Sequence, residues 1–186
     1  GGSYVDRKFL EMFETIIGKE EFEAYRAEDT ADYLKLCQSL ELGKRNFTTS
    51  SKGFKCKIPS SLDLKCINAK KSSFKELVSF QSVYKDFAMY EKDTGILNLD
   101  VKLMQNLFDY VCNGIVYHLK NLLQETKTQS ILMVGGFSMS PYLQETIKDA
   151  LPNHEIMIPD EAWLSVVKGA VLYGHFPRGM RSRIAK

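Results

Sequence analysis

Ser130-Ile131-Leu132-Met133-Val134-Gly135-Gly136-Phe137-Ser138-Met139-Ser140-Pro141 joins two kinds of local structure in twelve residues. The apolar, partly β-branched run to Val134 ends at paired glycines, so it reads as a short buried strand. Ser140 can cap a helix whose first position is Pro141, where a missing N–H costs nothing. Downstream, that helix runs to about Leu151, Ile156-Met157-Ile158 reads as a second buried strand stopped by Pro159, and Asp160 opens a last helix. Val166, Val167, Ala170 and Val171 are its apolar positions, and Gly174 ends it. Upstream, Asp100 caps a long helix with Met104, Leu107, Phe108, Val111, Ile115, Leu119 and Leu122 on one face. The order α-β-α-β-α predicts a layered α/β unit.

Further upstream the rhythm changes twice. Phe9, Phe13, Ile16 and Ile17 follow helical spacing and Gly18 is a stop. A short acidic helix from about Glu20 to Arg26 follows, and then Asp29 or Thr30 caps a helix reaching Phe47, with Tyr33, Leu36, Cys37 and Leu40 on its buried stripe. After Thr48-Thr49-Ser50-Ser51 the period becomes two. Phe54, Cys56 and Ile58 alternate with lysines, and Leu62, Leu64 and Cys66 do likewise, which predicts two half-buried strands. Met89 to Leu97 reads as a hairpin turning at Asp93-Thr94-Gly95. The expected organisation is a core α/β subdomain from residues 1–28 and 100–186, with an α+β insert from 29–99.

The chain has 186 residues, 44% hydrophobic and 26% charged, with a net charge of +2. This is ordinary globular composition, and the charge is too small to imply a nucleic-acid or membrane surface. The first six residues contain no signal-peptide-like apolar region, and no apolar run approaches the length of a membrane span. Cys37, Cys56, Cys66 and Cys112 lack CxxC spacing, and His118, His154 and His175 lack metal-ligand spacing. A reducing, cytoplasmic setting with no metal site in this chain is the expectation.

Two constellations could carry chemistry. The Gly135-Gly136 turn leads into a helix N-terminus, where bare backbone can approach a ligand and anions are favoured; the same glycines could simply make a tight turn. Glu41, Lys44, Arg45 and Thr48 stand at i, i+3, i+4 and i+7, on one helix face. They could hold a ribose and stack on a base, since a guanidinium is planar and weakly hydrated. The plain alternative is a solvated face with an internal ion pair. A basic stretch, Lys52, Lys55, Lys57, Lys65, Lys70 and Lys71 with Phe54 and Phe74 between, could meet acidic partners or RNA, or form solvated strand faces.

Taken together, these residues resemble a known family. The apolar strand with Gly135-Gly136 and Pro141 resembles the adenosine loop of the 70-kDa heat-shock proteins. Glu41-x-x-Lys44-Arg45-x-x-Thr48 resembles their adenosine-binding helix, Pro159-Asp160-Glu161-Ala162 with Gly169-Ala170 their final helix, and Gly1-Gly2 with Asp6 the glycine pair that starts the second lobe. Lys168-Gly169-Ala170-Val171-Leu172-Tyr173-Gly174 and Ile131 to Phe137 are similar to the divergent heat shock 70 kDa protein 12 family. The resemblance implies an actin-like ATPase lobe with a ribonuclease H-like core. It implies ATP or ADP as ligand, with adenosine between Glu41, Lys44, Arg45 and Thr48 on one side and Gly135, Gly136, Phe137 and Met139 on the other. Magnesium and phosphate chemistry would come from the family's first lobe, which has no counterpart in these residues and would be a partner of this one. The isolated chain is therefore expected to be inactive as an ATPase. Met139 stands where typical members carry a base-stacking arginine, and Phe137 where they carry a serine. A non-hydrolysing module on the same fold, binding a protein or glycan partner, is the alternative.

Overall fold

The computed structural model describes residues 1–177. The last residues of the expected core segment, from 178 onward, lie outside the described residues. The chain begins with α1 (Gly2–Ile17), whose buried residues Val5, Phe9, Met12, Phe13, Ile16 and Ile17 recur at helical spacing. It ends at Gly18, where φ is 105°, a region that favours glycine. Next come α2 (Lys19–Glu28), α3 (Thr30–Asn46), β1 (Gly53–Lys57), α4 (Ser60–Lys70), α5 (Phe74–Phe80), β2 (Ala88–Glu91) and β3 (Ile96–Asp100). Asp100 caps α6 (Val101–Gln124), its carboxylate accepting from the Lys102 N–H at 2.7 Å. The chain continues through β4 (Ser130–Leu132), a 3-10 turn (Gly136–Met139), α7 (Pro141–Ala150), β5 (Glu155–Met157) and α8 (Ala162–His175).

Two small sheets organise these helices into a mixed α/β structure. The first is antiparallel in the order β1-β3-β2, and includes the expected hairpin. Phe54 lies opposite Leu99, which lies opposite Ala88, so one face carries a buried apolar row. On the other face Lys55, Asn98 and Met89 are in register. The second sheet is the parallel pair β4-β5, with Ile131 opposite Ile156.

The segment at 62–66 differs from its alternating pattern: it is the middle of α4. Leu62 and Cys66 are four residues apart, share a helix face and are buried, whereas Leu64 between them is 59% exposed. The segments 130–134 and 155–158, of which only Ser130–Leu132 and Glu155–Met157 are strand, are also less enclosed than a buried parallel strand. Met133 is buried and Ile131 and Ile156 pack on the core, but Leu132, Val134 and Met157 are exposed.

Aromatic rings carry the packing that fixes α3. Phe54 of β1 packs against Phe9 of α1 in a tilted pair, with centroids 5.2 Å apart, and α3 crosses the same ring at Gly43. A Cβ at Gly43 would lie 2.3 Å from Phe54, so the glycine permits this close helix–sheet approach. Just past the helix, Phe47 is buried and stacks on Phe108 of α6 (5.2 Å) and Tyr142 of α7 (5.3 Å). The end of α3 is thereby set against the start of α7. Cys56, Cys66 and Cys112 are buried free thiols, and burial pushes them up to about 11, 12 and 12 respectively, which keeps them protonated and inert.

Candidate functional site

A cleft of about 300 Å³ opens between the first turn of α1, the last turns of α3 and the 136–140 turn. It is lined by Glu41, Lys44 and Arg45 from α3, by Gly136, Phe137, Met139 and Ser140 from the turn, and by Gly2, Ser3 and Asp6 from α1. Residues as distant in the chain as Gly2 and Ser140 thus share one cavity.

Two linkages hold the walls at their spacing. One is the Phe47–Tyr142 stack. The other joins the turn after α3 to α7: the Thr49 N–H and Oγ1–H both donate to Glu145 Oε2, each at 2.8 Å. These donors, the backbone N–H first, hold the Glu145 carboxyl below the usual glutamate value. The glycine turn is braced from behind. Gly135 has φ 93° and its N–H donates to the Ala162 carbonyl at 2.8 Å. Ser138, buried, donates from Oγ to the Gly135 carbonyl at 2.6 Å, and Gln144 Nε2 donates to the Ser138 carbonyl at 2.7 Å. Gly135 therefore serves the turn itself. Gly136 is different: its φ is not in the left-handed region, and a Cβ there would meet nothing within 4 Å. Neither strain nor crowding explains a glycine at 136. Bare backbone facing open space is what a ligand's close approach requires.

The charged wall is an internally paired network. Glu41 accepts from Lys44 through Oε2 (2.5 Å) and from Arg45 through Oε1 (2.7 Å), and Lys44 also reaches Asp6 Oδ1 at 2.5 Å. Lys44 is only 8% exposed, whereas the Arg45 side chain is 70% exposed. Burial pushes the Glu41 carboxyl upward, but the hydrogen bonds from Lys44 and Arg45 and their charges outweigh it and leave it below the ordinary value. Lys44 has three donors and two are engaged; Glu41 oxygens retain lone pairs for further donors.

Thr48 lies outside the cleft lining. The helix ends at Asn46 and Phe47 is extended, so the i+7 relation no longer places Thr48 on the same face. Its Oγ1 sits 3.1 Å from both Ser50 Oγ and Ser51 Oγ. Phe137 presents part of its ring to the cleft and packs toward Phe108, with centroids 6.5 Å apart. Met139, 38% exposed, lines the opposite wall from Arg45's helix. Asp6 is the participant that helical periodicity does not single out, because its role comes from a contact across 38 positions. Among the described residues no group of three or more His, Cys, Asp or Glu is placed to hold a metal. No described helix is long and apolar enough to cross a membrane.

No family model and no solved structure matches the chain. Curated proteins do. Human heat shock 70 kDa protein 12A is 26% identical over 192 aligned positions, covering 98% of this chain and 28% of that protein. Human heat shock 70 kDa protein 12B is 33% identical over 94 positions, covering 48% of this chain and 14% of that protein. Mouse heat shock 70 kDa protein 12A is 31% identical over 102 positions, covering 53% and 15%. The chain is similar to heat shock 70 kDa protein 12A along nearly its whole length and to heat shock 70 kDa protein 12B along about half of it, and it spans less than a third of each of these relatives.

Proposed function

We propose that this chain is an adenine-nucleotide-binding lobe of a 70-kDa heat-shock-like protein with an actin-like fold. Residues 1–28 and 100–186 would form its core subdomain and 29–99 its insert. The observation that carries the reading is the cleft, which brings the two sequence motifs together around an open backbone position at Gly136. At about 300 Å³ the cleft is at the small end of ligand sites, typically about 300–1,000 Å³, and suits a nucleoside more than a whole triphosphate. The base and ribose would sit inside, with the phosphates leaving through the mouth.

Energetics assign different roles to the two cations. Breaking the exposed Arg45–Glu41 pair costs about 0.2–1 kcal/mol, and a guanidinium on adenine returns up to about 2 kcal/mol. Arg45 can therefore swing from Glu41 onto the base. Glu41, released on one oxygen, can accept ribose hydroxyls. Lys44 remains clamped between Asp6 and Glu41, orienting both carboxylates. Met139 forms the other wall, packing on the ring without charge. Gly135 and Thr48 shape the two turns that carry these groups. Magnesium would neutralise phosphate charge where it is bound; the residues assigned here touch only the nucleoside. The cleft joins α3 to the 136–140 turn, so nucleotide would tighten the contact between insert and core.

The paired state of every charged side chain in the cleft supports a second reading. A network already satisfied needs no nucleotide, and the same fold could serve as a recognition module for a protein or glycan. Calorimetric titration of the full-length protein with ATP and ADP separates the two: heat of binding abolished by Arg45→Ala supports the first, and no binding of either nucleotide supports the second.

A further inference from the structure

A larger cavity lies elsewhere. About 830 Å³ opens along one end of the three-stranded sheet, between β1, α5 and the loop that enters β2. Four lysines line it: Lys52, Lys55, Lys75 and Lys85. All four are exposed, and among the described residues none has a carboxylate within ion-pair distance. This contrasts with Lys44, Lys65 and Lys70, each of which meets an acidic partner. Of the two carboxylates in the lining, Asp100 is occupied capping α6, so cationic charge dominates. Beside the lysines are two exposed apolar side chains, Met89 at 60% and Phe87 at 39%. Lys55 and Met89 lie in one cross-strand row through Asn98.

We propose that this cleft docks an acidic segment of a partner protein, its carboxylates meeting Lys55, Lys75 and Lys85 while an interleaved apolar side chain covers Phe87 and Met89. Charge complementarity defines the occupant: unpaired ammonium groups around an apolar strip match alternating acidic and apolar side chains. Single-stranded nucleic acid fits less well. It needs exposed aromatic platforms for successive bases, and of the aromatic rings here Phe54 and Tyr90 are buried, leaving Phe87 alone. Asp86 in the lining would also repel a continuous phosphate backbone. The assignment is independent of the nucleotide cleft, which shares none of these residues.

The test uses the full-length protein and three fluorescein-labelled probes: a peptide alternating glutamate and leucine, one alternating lysine and leucine, and polyuridine RNA. The glutamate peptide should bind, more weakly as salt rises. The double variant Lys55→Glu/Lys75→Glu should bind it roughly tenfold or more weakly, and Lys85→Gln a few-fold, while Lys57→Glu stays within about twofold. Lys57 is the control because it lies outside the cavity. A melting curve verifies that each variant folds, and Lys85→Gln carries the test should the double variant not fold. Equal affinity in the charge-reversed or neutralised variants, equal binding of the lysine peptide, or tighter binding of RNA overturns the proposal.

Discussion

Lys44 Nζ lies 2.5 Å from Asp6 Oδ1, an ion pair that ties the last turns of α3 to the first turns of α1 within the lining of the cleft. This lysine is only 8% exposed, and Glu41 supplies a second carboxylate on its other side. Removing the ammonium leaves two like charges facing each other. Breaking a fully buried pair costs about 3–5 kcal/mol, but both carboxylates are near 40% exposed and solvent screens them. Lys44→Met should therefore destabilise by about 1–2 kcal/mol, lowering Tm by roughly 2–8 °C. Asp6→Asn should do less, since Glu41 still pairs with Lys44. Thermal denaturation of the three proteins checks the order.

The same network sets an acid dependence. Glu41 binds its proton less readily when folded than its ordinary value of 4.5 would give, so the unfolded chain takes up the proton first as pH falls. Its contribution to stability is complete above the ordinary value and disappears as pH falls through the lowered folded value. Glu41→Gln should lose stability at neutral pH and show a shallower further loss below about pH 4.5 than the parent. Urea titrations across that range measure the difference in slope. Equal slopes would mean that the pairing at Glu41 does not survive in solution.

Gly43→Ala separates packing from helix propensity. In an exposed helix the change would gain about 1 kcal/mol. Here the new methyl would lie 2.3 Å from the buried Phe54 ring, which itself packs on Phe9. Overpacking costs about 1–3 kcal/mol, so a net loss is expected, with α3 displaced from β1. Lower Tm together with weaker nucleotide binding is the expected pair of results. A rise in Tm would show that the α3–β1 contact is looser than described.

Hydrolysis is the property least expected of the isolated chain. Phosphoryl transfer depends on charges and metal positioned around the phosphates. The side chains proposed for the cleft would surround the nucleoside instead. Purified chain should release no phosphate from Mg-ATP above background, and turnover that Arg45→Ala abolishes would contradict this.

The sequence carried the long elements plainly and the short ones ambiguously. In α1 and α6 the apolar stripe repeats over several turns, and in α7 Ser140-Pro141 marks the start. The 62–66 segment was misleading because Leu62-x-Leu64-x-Cys66 satisfies period two and, through Leu62 and Cys66, the i,i+4 relation of a helix as well. Pro59-Ser60-Ser61 before it is a helix-start signal that decides between them. Of the cleft, the residues on one helix face and in one turn were legible, because spacing alone groups them. Asp6 was not, since only the tertiary fold brings α1 against α3. Thr48 was overextended, because helical spacing says nothing about where the helix stops.

The base clamp is what the proposed nucleotide site stands on. Arg45 should lie on one face of adenine and Met139 on the other, with Gly136 backbone between. A second arginine in place of the thioether would add a cation–π contact worth up to about 2 kcal/mol. Isothermal titration of ADP into the full-length protein, its Arg45→Ala variant and its Met139→Arg variant tests the clamp most directly. Binding should be about tenfold or more weaker for Arg45→Ala, tighter for Met139→Arg, and unchanged for the Lys57→Ala control. Unchanged affinity in both Arg45→Ala and Met139→Arg would contradict it and leave the cleft as a recognition surface for some other partner.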